Sequence, residues 1–200
     1  MQKLKLNEAI NHFTEAETDQ AFQLAKRKQL PVLVDFWAPA CKGCKKMELV
    51  TYQNPEIQNY IDNHFVFVKY DITNRNVTKI QSTPILWTPT FIVFANDGSE
   101  LRKIIGYLDN CQFKAEMEIG RAMVFLRKAQ PQAALALLEN FIANCTNETL
   151  LPEVLYWAGI ASFFINKRNP ESLVFHWQQL LSEYSESVWA QRSDILNVIL

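Results

Sequence analysis

No charge of either sign dominates this chain: 20 lysines and arginines stand against 21 aspartates and glutamates, for a net charge of −1. A broad electropositive face is therefore not built in, and neither nucleic acid nor an anionic membrane is expected as the main partner. Long apolar runs are missing as well. No stretch approaches the roughly 18 apolar residues of a membrane span, the longest candidates being broken by Asn, Lys and Gln, so membrane insertion is not expected. The segment Met1-Gln2-Lys3-Leu4-Lys5-Leu6-Asn7-Glu8 does not continue into the apolar core of a secretory signal, and the expected location is cytoplasmic unless a leader has been removed. A second closely spaced cysteine pair is also lacking. Tetrahedral zinc needs four ligands, and beyond Cys41 and Cys44 the candidates Cys111, Cys145, His12, His64 and His176 are scattered singly, so no metal is expected. Cys111 and Cys145 read as small residues packed on helices, kept reduced in a cytosol, rather than as a second disulfide.

What the chain does carry is one dithiol. Val34-Asp35-Phe36-Trp37 has the composition of a buried strand, and it runs through Ala38-Pro39-Ala40 into Cys41-Lys42-Gly43-Cys44-Lys45-Lys46, the start of a helix-forming segment. Cys-x-x-Cys at a helix start puts the first sulfur outside the helical turn, near unpaired backbone N–H groups, with the second one turn behind it. The first becomes a stabilised thiolate and the second closes a disulfide onto it. Lys42, Lys45 and Lys46 add positive charge beside them and demand solvent, which argues against a pair of inert core thiols. A free cysteine titrates near 8.5, and such settings bring it to roughly 3.5–7.5.

These residues resemble the thioredoxin-like proteins, over roughly residues 18–118. The markers are Asp35-Phe36-Trp37-Ala38 leading into Cys41-Lys42-Gly43-Cys44-Lys45, then Thr88-Pro89-Thr90 ahead of Phe91-Ile92-Val93-Phe94, the turn Asp97-Gly98, and Gly106 beyond it. The resemblance implies a cis Pro89 facing the dithiol, with the Thr88 backbone available to a client peptide. It implies Cys41 as nucleophile, Cys44 as resolving thiol, Asp35 as the buried acid that passes a proton to and from Cys44, and Lys69 as the lysine beside that acid. Trp37, Lys42, Gly43, Thr88 and Pro89 would face the substrate. Two features depart from typical thioredoxins: Ala40 stands where an aromatic precedes the first cysteine, and Lys42-Gly43 replaces Gly-Pro. The intervening dipeptide tunes the potential, which spans about −270 to −120 mV in this family. The run from Met47 to Ile57, with Asn54-Pro55 breaking the helix before the strand Phe65–Val68, is more similar to the thioredoxin-like domains of DsbD-type electron transporters and their soluble relatives.

Further strands are expected at Pro31–Phe36, Phe65–Tyr70, Phe91–Phe94 and Glu100–Ile105, the last an edge strand after the Asn96-Asp97-Gly98 turn. A helix capped by Thr14 or Thr18 precedes the first and ends near Lys28-Gln29. The pattern is an α/β thioredoxin fold over residues 1–115, a central mixed sheet flanked by helices, followed by an all-α domain over 116–200. The second part repeats. A shift of 39 positions superimposes Gly120 on Gly159, Ala122 on Ala161, Phe125 on Phe164, Lys128 on Lys167 and Pro131 on Pro170. The small Gly and Ala permit close helix contact. A helix, turn and second helix with a small residue midway through the first resembles the tetratricopeptide repeat, whose usual period is 34 residues. A final helix from about Ser187, carrying Trp189, Ile195, Leu196 and Ile199, is expected to cap the array rather than to form a dimer contact.

Together these readings describe a thiol:disulfide oxidoreductase that acts on protein disulfides through Cys41 and Cys44, with the helical tail binding a protein partner. It requires no cofactor beyond the dithiol itself. Its partners would be a client with a disulfide or thiol and a reductase or oxidase that recycles the pair. The alternative is a thioredoxin-like, tetratricopeptide-type co-chaperone or adaptor, similar to chaperedoxins, which hands clients to a chaperone with little redox turnover.

Overall fold

The apolar run after Pro31 forms the middle of a sheet: β2 (Val32–Trp37) lies between β3 (Val66–Asp71) and β4 (Thr90–Phe94), and its first five residues are buried. A strand covered on both faces has no solvent side to alternate toward, which is why Val32-Leu33-Val34-Asp35-Phe36 carries a single polar residue. The computed structural model describes residues 12–74, 80 and 84–195. The chain divides into two compact units, Met1–Phe113 and Lys114–Leu200.

In the first unit the described residues form a five-stranded sheet in the order β1-β3-β2-β4-β5, where β1 is His12–Thr14 and β5 is Glu100–Ile105. β1 and β2 run parallel to β3, while β4 runs antiparallel to both β2 and β5. The four expected strands are all present, and β5 does lie at an edge. β1 escaped the sequence pattern because three residues are too few to show alternation. Helix α1 (Thr18–Lys28) ends on Gln29 in the left-handed conformation and packs Ala21 and Ala25 against Val32, Val34, Phe36, Val66, Val68 and Ile92 on one face. The opposite face carries Leu33, Asp35, Phe67, Lys69 and Phe91, because successive strand residues point to opposite sides. Tyr52 and Phe113 meet the aromatic rings of that face, at 5.6 Å from Phe67 and 6.0 Å from Phe91 respectively.

Between β2 and β3 the helix is not uniform. α2 (Lys42–Lys46) gives way to a π-helical turn over Met47–Thr51, closed by the Tyr52 N–H bond to the Met47 carbonyl at 2.8 Å. Asn54 then caps α3 (Pro55–His64), its side chain accepting from the Glu56 N–H at 2.8 Å, so the helix breaks at Asn54-Pro55 as the sequence suggests.

Helix α4 (Asn110–Arg127) starts in the first unit and continues into the second, which holds α5 (Pro131–Asn144), α6 (Leu151–Ile165), α7 (Val174–Glu183) and α8 (Val188–Ser193). Pro131 opens α5, and Pro170 opens a 3-10 turn that feeds α7, with the Asn169 side chain accepting from the Glu171 N–H at 3.1 Å. Ala129 and Arg168, related by the 39-residue shift, both take positive φ, at 55° and 65°. α6 is apolar nearly all round and carries Val154, Leu155, Ala158 and Ala161 into a core shared with Leu138 and Leu180. Trp189 and Ala190 of α8 join that core, and the Ser187 side chain caps the helix. Leu196 and Ile199, expected to extend it, lie outside the described residues. Neither Cys111 nor Cys145 is in a disulfide; Cys145 packs on the helical core, whereas Cys111 is exposed. Among the described residues no helix is long and apolar enough to cross a membrane.

Candidate active site

β2 ends at Trp37, and a turn over Ala38–Ala40, closed by the Cys41 N–H bond to the Ala38 carbonyl at 3.1 Å, delivers Cys41 to the N-cap of α2. Cys41 and Cys44 are joined as a disulfide with their Cα atoms 5.3 Å apart. The capping group of α2 is the Cys41 sulfur itself, which accepts the Cys44 N–H at 3.0 Å. Most N-caps offer an oxygen; here the donor is aimed at the atom that carries negative charge when the pair is reduced. Cys41 is partly exposed and Cys44 buried, so an incoming group meets Cys41 first. Lys42, Lys45 and Lys46 are exposed around it, the Lys46 ammonium lying 4.1 Å from the Tyr107 ring centroid.

The Thr88–Pro89 bond is cis, as the resemblance implies. Pro89 is brought against the dithiol helix: a Cβ built on Gly43 would stand 2.8 Å from Pro89 Cδ and 3.9 Å from Cys41 Sγ. Position 43 thus has no room for a side chain while the proline ring stays where it is. The Pro89 carbonyl accepts from Gly106 N–H at 2.8 Å, and Gly106 holds φ at 108°, which is where its lack of a Cβ matters. Just before this turn Leu86 and Trp87 are exposed.

A second cluster sits on the sheet face under Tyr52. Asp35, 1% exposed, pairs in register with Lys69 of β3 and with Phe91 of β4. Its Oδ2 accepts the Tyr52 hydroxyl at 2.9 Å, while its Oδ1 has no hydrogen-bond partner. Burial pushes the Asp35 carboxyl up from 3.8 to about 6, against the opposing pull of Lys69 and of the Tyr52 hydrogen bond. Burial lowers Lys69, and Asp35 acts in the opposite direction. Lys69 also forms an ion pair with Glu48, and its ammonium lies 5.3 Å from the Trp37 ring and 5.6 Å from the Tyr52 ring.

The structure therefore gathers Cys41, Gly43, Cys44 and Pro89 into one group, and Asp35, Lys69 and Trp37 into another. Both groups lie at the end of β2 where Trp37 leads to the dithiol, and Phe36 pairs there with Thr90, the residue after Pro89. Trp37, half-buried, has Lys69 as its cation partner; Lys42 is exposed, and Thr88 supplies the cis bond. Tyr52 and Glu48 were not picked out by sequence reasoning. Glu48 follows Cys44 by four residues, one helical turn, and that spacing was the available signal. No such signal existed for Tyr52, because a π turn shifts the phase of every side chain after it.

Residues 18–120 match the family model described as "Thioredoxin-like domain". Over 107 residues the chain is 32% identical to the thiol:disulfide interchange protein DsbD of Klebsiella pneumoniae, covering 51% of this chain and 17% of that protein. The protein of the same name from Salmonella typhimurium is 30% identical over 106 residues, covering 50% and 18%. The chain thus spans less than a fifth of the length of these curated relatives. Among solved structures, the oxidised DsbD C-terminal domain of Neisseria meningitidis is 26% identical, with a TM-score of 0.42 over 49% of this chain and 88% of that one.

Proposed function

Because this chain belongs to the thioredoxin-like domain family, we propose that it is a thiol:disulfide oxidoreductase acting on protein disulfides through Cys41 and Cys44. The observation that carries the reading is the Cys41–Cys44 disulfide with the Cys44 N–H directed at the Cys41 sulfur. In the reduced protein that donor favours thiolate at Cys41, the more accessible sulfur. The Cys41 thiolate attacks a client disulfide, forms a mixed disulfide and expels one client sulfur as thiolate. Cys44 then gives its proton to Asp35 and attacks Cys41. The mixed disulfide breaks, its electron pair leaves on the second client sulfur, and the protein is left oxidised. With a client dithiol the steps run in reverse, and the potential of the pair fixes the direction.

Asp35 suits this role because a carboxyl near 6 both takes and returns a proton at neutral pH. Lys69 favours its anion and Pro89 walls the dithiol on the Gly43 side. The helical unit, in this reading, is tetratricopeptide-like and holds the protein client, raising its effective concentration at Cys41. The exposed Phe175 and Phe164 are what recommend it for that task.

Replacement of the cysteines tests the core of the proposal. Cys41→Ser is expected to abolish reduction of a model protein disulfide, and Cys44→Ser to accumulate client adducts that dithiothreitol releases. Full activity in the Cys41→Ser protein would sink the assignment.

A further inference from the structure

We propose that Tyr52 is a positioning residue for the proton transfer between Cys44 and Asp35: its hydroxyl pins one carboxylate oxygen and leaves the other free to take the proton. The inference rests on the function proposed above, in which Asp35 is the proton acceptor. Three observations carry it. The Tyr52 hydroxyl donates to Asp35 Oδ2 at 2.9 Å, and Oδ1, equally buried, has no partner. A buried acceptor without a donor is the atom that gains most from receiving one, so the proton is directed to Oδ1. The Tyr52 ring packs on Phe67 and Phe113, at 5.6 and 6.1 Å between centroids, contacts that phenylalanine would serve equally well. The hydroxyl is therefore not explained by packing. Last, Tyr52 is carried to Asp35 by the π turn whose closing bond runs from its own N–H to Met47, an arrangement found often at functional sites.

Lys69 faces Asp35 from β3 and is itself paired with Glu48 of the π turn; β4 presents Phe91. Tyr52 is held well above its ordinary value by burial first and then by Asp35, so it stays a donor across the working range. A donor to the carboxylate favours the ionised form. When Cys44 transfers its proton, Asp35 becomes neutral. The Cys44 sulfur bonds to Cys41 Sγ as the mixed disulfide breaks, and the released thiolate carries away the electron pair.

The test follows reaction of the reduced full-length protein with the chromogenic aromatic disulfide dithiobis-nitrobenzoate by stopped flow. A first phase reports attack by Cys41 and a second reports the Cys44 step. Tyr52→Phe is expected to raise the pH midpoint of the second phase by about one pH unit, slowing it about fivefold at pH 6 with the plateau at high pH unchanged. Incorporation of 3-fluorotyrosine at position 52, which keeps the ring and strengthens the donor, is expected to move the midpoint down, and it reports even where the phenylalanine variant folds poorly. An unmoved midpoint in both proteins, or equal slowing at every pH, overturns the positioning role. Asp35→Asn separates the two levels of argument. If that variant keeps wild-type rates and pH dependence in the second phase, the acid assignment falls and this inference with it. If the variant loses the second phase's pH dependence while both Tyr52 proteins retain the wild-type midpoint, only the positioning role falls.

Discussion

Asp35 is the one residue of β2 that burial works against, and its burial makes its share of the folding stability depend on pH. An aspartate in the unfolded chain titrates near 3.8, whereas in the fold it is raised to about 6. Between those values the folded state holds more protons than the unfolded state, so stability is highest below about pH 4 with respect to this group and falls as pH rises through 6. The loss is on the order of 3 kcal/mol, since a tenfold change in proton affinity corresponds to about 1.4 kcal/mol. Asp35→Asn keeps an acceptor for the Tyr52 hydroxyl and removes the charge. It is expected to unfold at higher denaturant concentration than wild type at pH 8, by about 1–3 kcal/mol, with the gain vanishing toward pH 4. An Asn variant that is less stable at both pH values would contradict the cost assigned to the buried anion. The dithiol Cys41 and Cys44 stood out from its spacing and Pro89, Asp35 and Lys69 from the family resemblance, and the structure sets Asp35 in register with Lys69 and Pro89 against Gly43. Tyr52 was not legible, because its meeting with Asp35 depends on how the helix between Lys42 and Thr51 is wound, whereas Glu48 stands one helical turn past Cys44 and was passed over.

At the level of elements, helix and strand positions followed from periodicity and from Pro, Asn and Gly signals. The exceptions were β1, which is too short to show a period, and the π turn, which has no pattern of its own in the sequence. The 39-residue shift pairs the turn at Arg168 with the one at Ala129, and it singled out Gly159 as a place of close helix approach. The structure gives the reason for that glycine: a Cβ there would run into the indole of Trp177. That indole is already committed, stacking on Tyr156 with centroids 5.1 Å apart and donating its Nε1–H to the Tyr156 carbonyl at 3.0 Å. Alanine is favoured over glycine in a helix interior by about 1 kcal/mol, but overpacking costs typically about 1–3 kcal/mol and the indole hydrogen bond is strained in addition. The second effect wins. Gly159→Ala is expected to lower stability by about 1–2 kcal/mol and to alter tryptophan fluorescence, as followed by thermal unfolding; a rise in unfolding temperature would show that helix propensity dominates instead.

For the whole molecule, the proposed function gives the redox step to the first unit and the holding of a protein client to the second. Phe175, 75% exposed on α7 beside Gln178, Gln179 and Ser182, is the feature of the helical unit that the proposal of client binding singles out. Phe175→Ser is expected to lower kcat/KM for a protein disulfide several-fold while leaving the rate with a small disulfide unchanged. Wild-type rates on both substrates would remove Phe175 from the client surface. Internal similarity was a poor guide here: Phe125 and Phe164 are equivalent under the 39-residue shift, yet Phe125 packs on the helical core and Phe164 is exposed. The rims of the sheet bear on the same task. Among the described residues β1 spans His12–Thr14, and β5 carries Glu100, Arg102 and Lys103 along its length. Short or charged rims resist the addition of a further strand. Under the proposed function, a client held at Cys41 meets rims that do not accept it as a further strand, so that contact at the sulfur does not become growth at the sheet.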